Sequence, residues 1–339
     1  MEFWTAATNA PGQAAAMARE AEARGFDGVS MGDTATLAAD PYVGLTVAAH
    51  TAPKLKLIVG VTNPVTRHPA LTACAIASVQ IESKGRAVLG IGRGDSAVSK
   101  FGLKAASASE LETYIARLQG YLRGDKVEMD GKASSLEWLK ALDLPKVPVD
   151  VAATGPKVIA AGARQAERIT FNLGANPERI AEGIKLARQV RKDAGLPADG
   201  LTFGAYLPVA PHPDIKAARM LVKGVTGVYA RFQAMPGHPS SLISAEDRKV
   251  IETVGANYNN AHHGRADASH AVYLEDAFVD RFAAIGTAEQ VAERLAGLFK
   301  LGLDWLLIVG PNRRADEEAA EESWRLLSEV VMPEVRRSK

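Results

Sequence analysis

Apolar positions along this chain gather in short runs, separated by longer stretches where apolar and polar residues recur with a helical period. The short runs are Glu2 to Ala7, Asp27 to Met31, Leu55 to Val61, Ala87 to Gly92, Val147 to Ala153, Arg168 to Leu173, Leu201 to Val209 and Asp304 to Val309. Each is brief, apolar or β-branched and punctuated by glycine or proline, as buried strands are. Helical patterns occupy Gly12 to Arg24, Pro41 to His50, Pro69 to Glu82, Ser107 to Leu122, Pro156 to Gln165, Pro177 to Ala194, Thr287 to Leu301 and Asp316 to Val331. Several open on proline after a capping position: Asp40-Pro41, His68-Pro69, Gly155-Pro156 and Asn176-Pro177. This order predicts an α/β fold, a (β/α)8 barrel with insertions, as a single domain over residues 1–339. Gly124 to Asp143 and the longer Val222 to Phe282 interrupt the rhythm. The latter holds Met235-Pro236-Gly237-His238-Pro239 and His262-His263-Gly264-Arg265, and an insertion of that length is expected near the active-site mouth or against a second subunit.

Composition narrows the partners. The chain is 47% hydrophobic and 23% charged, with 40 basic and 39 acidic residues, so no net field draws it to nucleic acid or an anionic membrane. Small, neutral molecules are the expected ligands. Cys74 is the only cysteine, which excludes an internal disulfide and a cysteine-based zinc site. No metal site is expected. The start Met1-Glu2-Phe3-Trp4-Thr5 lacks a basic region before an apolar run, and no apolar stretch nears the roughly 20 residues of a membrane helix, so a cytoplasmic location is expected.

In parallel α/β folds ligands bind at the carboxyl ends of strands, and there this sequence places polar, glycine-containing loops. Val88 to Ser96 contains Gly90, Gly92 and Gly94, but the Gly-x-Gly-x-Gly spacing, with the next helical pattern starting near Ser107, argues against a nicotinamide-binding Rossmann turn. Arg93, set between two glycines, can reach a phosphate and match it bidentately. Thr154-Gly155-Pro156-Lys157 turns the fifth strand into a helix whose amides favour an anion; Thr154 either binds that anion or caps the helix. Asn172 and Gly174 end the sixth strand beside it. Asp33 ends the second strand, as a group near the substrate or as a turn cap. His262 and His263 are candidate proton-transfer groups or solvent-facing loop residues, and at most one is expected to face the mouth.

Gly60-Val61-Thr62-Asn63-Pro64 with Thr66-Arg67-His68-Pro69, then Ser83-Lys84-Gly85-Arg86 leading to Leu89 through Asp95, then Ala152 through Lys157, and finally Ile285 through Gln290, together resemble the bacterial luciferase-like superfamily. The first motif is most similar to that of the methylenetetrahydromethanopterin reductases. The resemblance implies a barrel that holds reduced FMN or, alternatively, the deazaflavin coenzyme F420 at its mouth, commonly in a homodimer. It also implies a bulge after the third strand, often with a non-prolyl cis peptide, here at Gly60-Val61; the plainer reading is that Gly60 only ends the strand. Many deazaflavin-dependent relatives have a histidine after the acid matching Asp33, where this chain has Thr34. The implied site comprises Gly60, Val61, Asn63, Arg93, Gly94, Thr154, Gly155, Lys157, Asn172 and Gly174 for the cofactor, with Asp33, His262 or His263 for acid-base chemistry. The expected function is a flavin-dependent monooxygenase using FMN, which Arg93 favours, on a small organic substrate with molecular oxygen and a separate flavin reductase. A coenzyme F420-dependent hydride transferase and a non-catalytic flavin-binding protein are the alternatives.

Overall fold

The computed structural model describes residues 1–7, 9–235, 243–311 and 315–338; Pro236 to Pro239 of the Met235 motif lie outside them. Eight parallel strands, β1 (Glu2–Ala7), β2 (Gly28–Met31), β3 (Lys56–Thr62), β4 (Ala87–Ile91), β5 (Val149–Ala153), β6 (Arg168–Phe171), β7 (Thr202–Pro211) and β8 (Trp305–Val309), pair in chain order, and β8 returns to β1. The sheet is closed, as the strand-helix alternation predicts. Helices α1 (Ala14–Ala23), α2 (Pro41–Thr51), α3 (Pro69–Glu82), α4 (Ala108–Arg123), α5 (Pro156–Gln165), α6 (Pro177–Asp193) and α7 (Ile215–Gln233) follow the first seven strands. Among the described residues no helix is long and apolar enough to cross a membrane.

Helix starts obey the local chemistry. The Asp40 carboxylate accepts from the Tyr42 and Val43 amides, Asn176 from the Arg179 amide, and Ser107 forms a reciprocal capping box with Glu110. The insertion expected from Val222 begins inside α7, which the periodicity did not mark. Two glycines weaken the helical signal there, and both are needed for packing. A Cβ on Gly224 would meet the Arg265 backbone at 2.6 Å, and one on Gly227 would meet the His270 ring at 3.3 Å. The insertion therefore lies directly on α7. The rest of it forms helices Ala245–Ala256 and Asp276–Phe282 with short turns at Asn260–His262 and Ser269–Tyr273. Gly124 to Asp143 folds as a hairpin, Val127–Met129 with Lys132–Ser134, and a turn at Glu137–Ala141.

The barrel interior is filled by two indoles that require facing glycines. A Cβ on Gly28 would meet the Trp4 ring at 2.5 Å, and one on Gly204 would meet Trp305 Nε1 at 1.9 Å. The Arg168 guanidinium lies between them, 3.7 Å from the Trp305 ring centroid and 5.0 Å from that of Trp4. Buried Asp150 faces the same space and accepts from Thr170 Oγ1 at 2.6 Å. Burial raises the Asp150 pKa and lowers that of Arg168, each opposed by the charge of the other.

Above this layer β3 leaves regular pairing. Its register against β4 shifts between Val59 and Thr62, and the Gly60–Val61 peptide is cis. A Cβ on Gly90 would stand 2.2 Å from the Val59 carbonyl oxygen, so β4 must have no side chain where β3 bulges. We expect Gly90→Ala to lower stability by about 1 to 3 kcal/mol, the usual cost of overpacking. Urea unfolding measures it, and an unchanged midpoint would show that the bulge can retreat.

Candidate active site

A cavity of about 540 Å³ opens at the carboxyl ends of the strands, directly over the β3 bulge, within the size range of small-ligand sites. Ser30 and Gly32, Gly60 to Asn63, Gly92 to Ala97, Ala152 and Thr154, Asn172, Tyr206, and Val309 to Pro311 border it from successive strands, and α7 forms one wall.

Eight residues expected at the site border this cavity: Gly60, Val61, Asn63, Arg93, Gly94, Thr154, Asn172 and His263. Asn63 and Asn172 carry the clearest indications of a ligand. Asn63 is 1% exposed; its Oδ1 accepts from the Val65 and Thr66 amides at 3.0 Å each, while buried Nδ2 has no hydrogen-bond partner. Asn172 is 6% exposed and its Oδ1 is likewise buried and unpartnered. Both side chains border the cavity, and these two unpartnered atoms are themselves buried. Arg93 Nε donates to the Ala106 carbonyl at 2.5 Å, which pins the guanidinium at the rim. Among the described residues its two terminal nitrogens make no hydrogen bond.

The other five lie elsewhere. Asp33 is buried beneath the lining, where Thr62 Oγ1 donates at 2.7 Å and Arg67 Nε at 2.8 Å. Gly155 occupies the N-cap position of α5, which has no side-chain cap, and Lys157 is exposed outside the cavity. Gly174 is in the left-handed region at φ 72°, and a Cβ there would meet the Phe282 ring at 2.9 Å, so its smallness serves packing. His262 does not border the cavity, and its buried Nδ1 has no hydrogen-bond partner. Of the adjacent histidines only His263 faces the mouth, as alternation along the chain predicts.

A family model described as luciferase-like monooxygenase matches residues 3–304. The chain belongs to the luciferase-like monooxygenase family. The family's members among its relatives include flavin- and F420-dependent oxidoreductases. One is the 5,10-methylenetetrahydromethanopterin reductase of Methanolobus tindarius, 28% identical over 303 residues, covering 87% of this chain and 90% of that protein. Another is the F420-dependent glucose-6-phosphate dehydrogenase of Microbacterium testaceum, 26% identical over 293 residues, covering 83% and 79%. The coenzyme F420-dependent tetrahydromethanopterin reductase structure from Methanopyrus kandleri aligns with a TM-score of 0.75 at 22% identity over 98% of both chains. The FMN complex of the oxygenating constituent of 3,6-diketocamphane monooxygenase from Pseudomonas putida aligns with a TM-score of 0.65 at 18% identity over 98% of both. These structural likenesses establish the shared barrel.

Around this luciferase-like barrel the structure assembles groups whose pairing no sequence motif showed. Arg67 joins Asp33 to Asp40, donating to Asp40 at 2.7 Å, and stacks 4.7 Å over the Tyr42 ring. Burial opposes its charge, but the hydrogen bonds to both carboxylates outweigh this and raise the Arg67 pKa. Arg231 of α7 grips Asp95 through two bonds of 2.7 Å and lies 4.7 Å over the Tyr258 ring. Tyr258 hydroxyl meets His263 Nδ1 at 2.9 Å and its ring stacks on His270 at 4.1 Å. Only tertiary packing assembles these groups, since Asp95, Arg231 and Tyr258 are far apart in the chain. Removing Arg67 leaves Asp33 buried without its cation, so Arg67→Ala should destabilise the fold by about 3 kcal/mol. Tyr258→Phe should cost about 1 kcal/mol, the value of one neutral hydrogen bond. Denaturant midpoints of the two variants side by side test the contrast; equal losses would remove the Asp33–Arg67 pair from its architectural role.

Proposed function

We propose that this protein is a coenzyme F420-dependent oxidoreductase that moves hydride between the deazaflavin ring and a small organic substrate at the barrel mouth. The observation that carries the reading is the cavity over the β3 bulge, bordered by Asn63 and Asn172, each with an unpartnered buried polar atom, and with Arg93 at the rim. Relatives spanning most of the chain support the deazaflavin over FMN, because several are named as methylenetetrahydromethanopterin reductases or as F420-dependent. The arginine at Arg93 does not separate the two, since both cofactors carry a phosphate.

The bound deazaflavin supplies the two-electron hydride chemistry. The chain's own residues bind, orient and shield. The β3 bulge at Gly60 and Val61 would back the ring, and Asn63 and Asn172 would hold its polar edge. Arg93 takes the phosphate with Gly94 and Thr154, near the start of α5, where Gly155 exposes the first helical amides and Lys157 adds positive charge from outside. The apolar wall of α7 excludes water from the reacting centre. His263, held through Nδ1 by Tyr258, exchanges the proton that accompanies hydride transfer. Burial lifts the Tyr258 pKa, opposed by Arg231, so the phenol stays protonated, and its hydrogen bond to Nδ1 holds the imidazole in place.

Two copies associate through α2 and α3. These helices contain one acidic residue, Glu82, and no lysine or arginine, and they leave Val43 and Leu71 each 66% exposed.

Arg93→Ala should weaken F420 binding by about 1.5 to 3 kcal/mol, the range for a hydrogen bond to a charged group, as read by titrating the coenzyme's visible absorbance. Tight FMN binding with no F420 binding would restore the monooxygenase reading. His263→Ala should lower kcat about a hundredfold or more with the coenzyme Kd unchanged; an unchanged kcat would remove the imidazole from proton transfer. Val43→Glu with Leu71→Glu should yield a monomer in sedimentation runs, whereas an unaltered dimer would place the interface elsewhere.

A further inference from the structure

Below the cavity, the packing of Trp4 and Trp305 leaves a set of polar atoms open. Strand register sets Asp150 of β5 beside Arg168 of β6. Asp150 is 1% exposed, and its Oδ2 accepts from fully buried Thr170 Oγ1 at 2.6 Å, which in turn accepts from Trp305 Nε1 at 3.1 Å. Asp150 Oδ1 and the Nε and Nη2 atoms of Arg168 are buried too, and none of the three has a hydrogen-bond partner. Open polar atoms on a buried carboxyl group and a neighbouring guanidinium carry a desolvation cost that a bridging molecule removes. Water fits the gap, because it takes about two to four polar partners and becomes part of a packed interior.

The two ends of this polar layer differ. Arg168 opens β6 between the two indole rings, and a guanidinium neither releases its proton nor lets a hydronium approach, so the amino-terminal end is closed to protons. The other end meets the cavity. Two residues beyond the paired Thr170 and Gly204 stand Asn172 and Tyr206, both on the cavity lining. An amide does not pass a proton on, whereas a phenol both donates and accepts. The Tyr206 hydroxyl makes no hydrogen bond among the described residues, and a Cβ on Gly60 would stand 3.8 Å from it, which sets it against the β3 bulge. Ile58, Val88 and Leu307 pack with Tyr206 and both indoles in one buried cluster and bring no proton-carrying group.

We propose that Asp150 is a proton store inside the barrel, joined by water bound between it and Arg168 to the Tyr206 hydroxyl, which passes the proton to an acceptor on the cavity floor. This inference holds whichever cofactor the cavity takes. The Asp150 carboxylic acid gives its proton to the water, the water gives one to the Tyr206 oxygen, and the Tyr206 O–H gives its own to the acceptor. Water and phenol end as they began; Asp150 is left a carboxylate facing Arg168 and Thr170, and the acceptor has gained one proton. The reverse order refills the store. Burial favours the acid form of Asp150 and Arg168 the carboxylate, so both forms have support. The other charges that reach this layer are Glu2 on β1 and Asp304 before β8, which act on Arg168, and the titratable group on the cavity side is Tyr206 itself.

Infrared spectra of the intact, ligand-free protein test the proposal, with Asp150→Asn subtracted to isolate the C=O band of the protonated Asp150 carboxyl. The band should grow as pH falls, with a midpoint above that of an ordinary aspartate. After a rapid drop in pH it should appear about tenfold more slowly, or slower still, in Tyr206→Phe, which removes only the hydroxyl. Tyr229→Phe, which removes the neighbouring phenol on α7, should keep the wild-type rate. Absence of an Asp150 band, equal rates in the wild type and Tyr206→Phe, or equal slowing in both tyrosine variants would each overturn the relay. A crystal structure that resolves ordered water gives a second measurement, independent of how Asp150→Asn folds. It should show water bonded to Asp150 Oδ1 and to Arg168 Nε or Nη2, and direct contact between the two side chains with no water would overturn the hydrated site.

Discussion

The approach of the Val59 carbonyl to the bare Cα of Gly90 is the constraint on which the mouth of this barrel depends. With no side chain on β4 at that point, β3 can bulge, and the strand's last residues line the cavity. Asn63 then closes a tight turn on the Val65 and Thr66 amides and starts the loop that carries Arg67. Arg67 in turn reaches Asp33 and Asp40 on the neighbouring connection. A single missing Cβ thus shapes the floor of the cavity and the ion pairs beneath it.

The floor rests on a layer built by a different rule. Trp4 and Trp305 fill the barrel because Gly28 and Gly204 stand opposite them, and Arg168 enters that layer as a cation held by aromatic faces. The barrel's centre is therefore packed solid, which confines ligands to the rim.

Much of the fold was legible in the sequence. Eight apolar runs and the proline-marked helix starts follow from local chemistry, and each appears where the pattern places it. Helix α7 was not legible, because Gly224 and Gly227 lower helix propensity for a reason visible only once Arg265 and His270 pack against them. The motifs that carried the family resemblance divide in two. Gly60 to Asn63 and Gly92 to Gly94 line the cavity. Ser83 to Arg86 instead forms a turn in which Arg86 donates to the Ala49 carbonyl at 2.8 Å, and Thr287 with Gln290 is a capping box. Motif matching alone cannot separate ligand-binding residues from such punctuation; Asp33, expected at its strand end near the substrate or as a turn cap, is buried and bonded to Arg67.

The bridge from Asp95 to Arg231 joins the segment next to Arg93 to the helix that forms the apolar wall. Any ligand that shifted the first would move the second through this bridge, and thermodynamic reciprocity would make such an effect mutual.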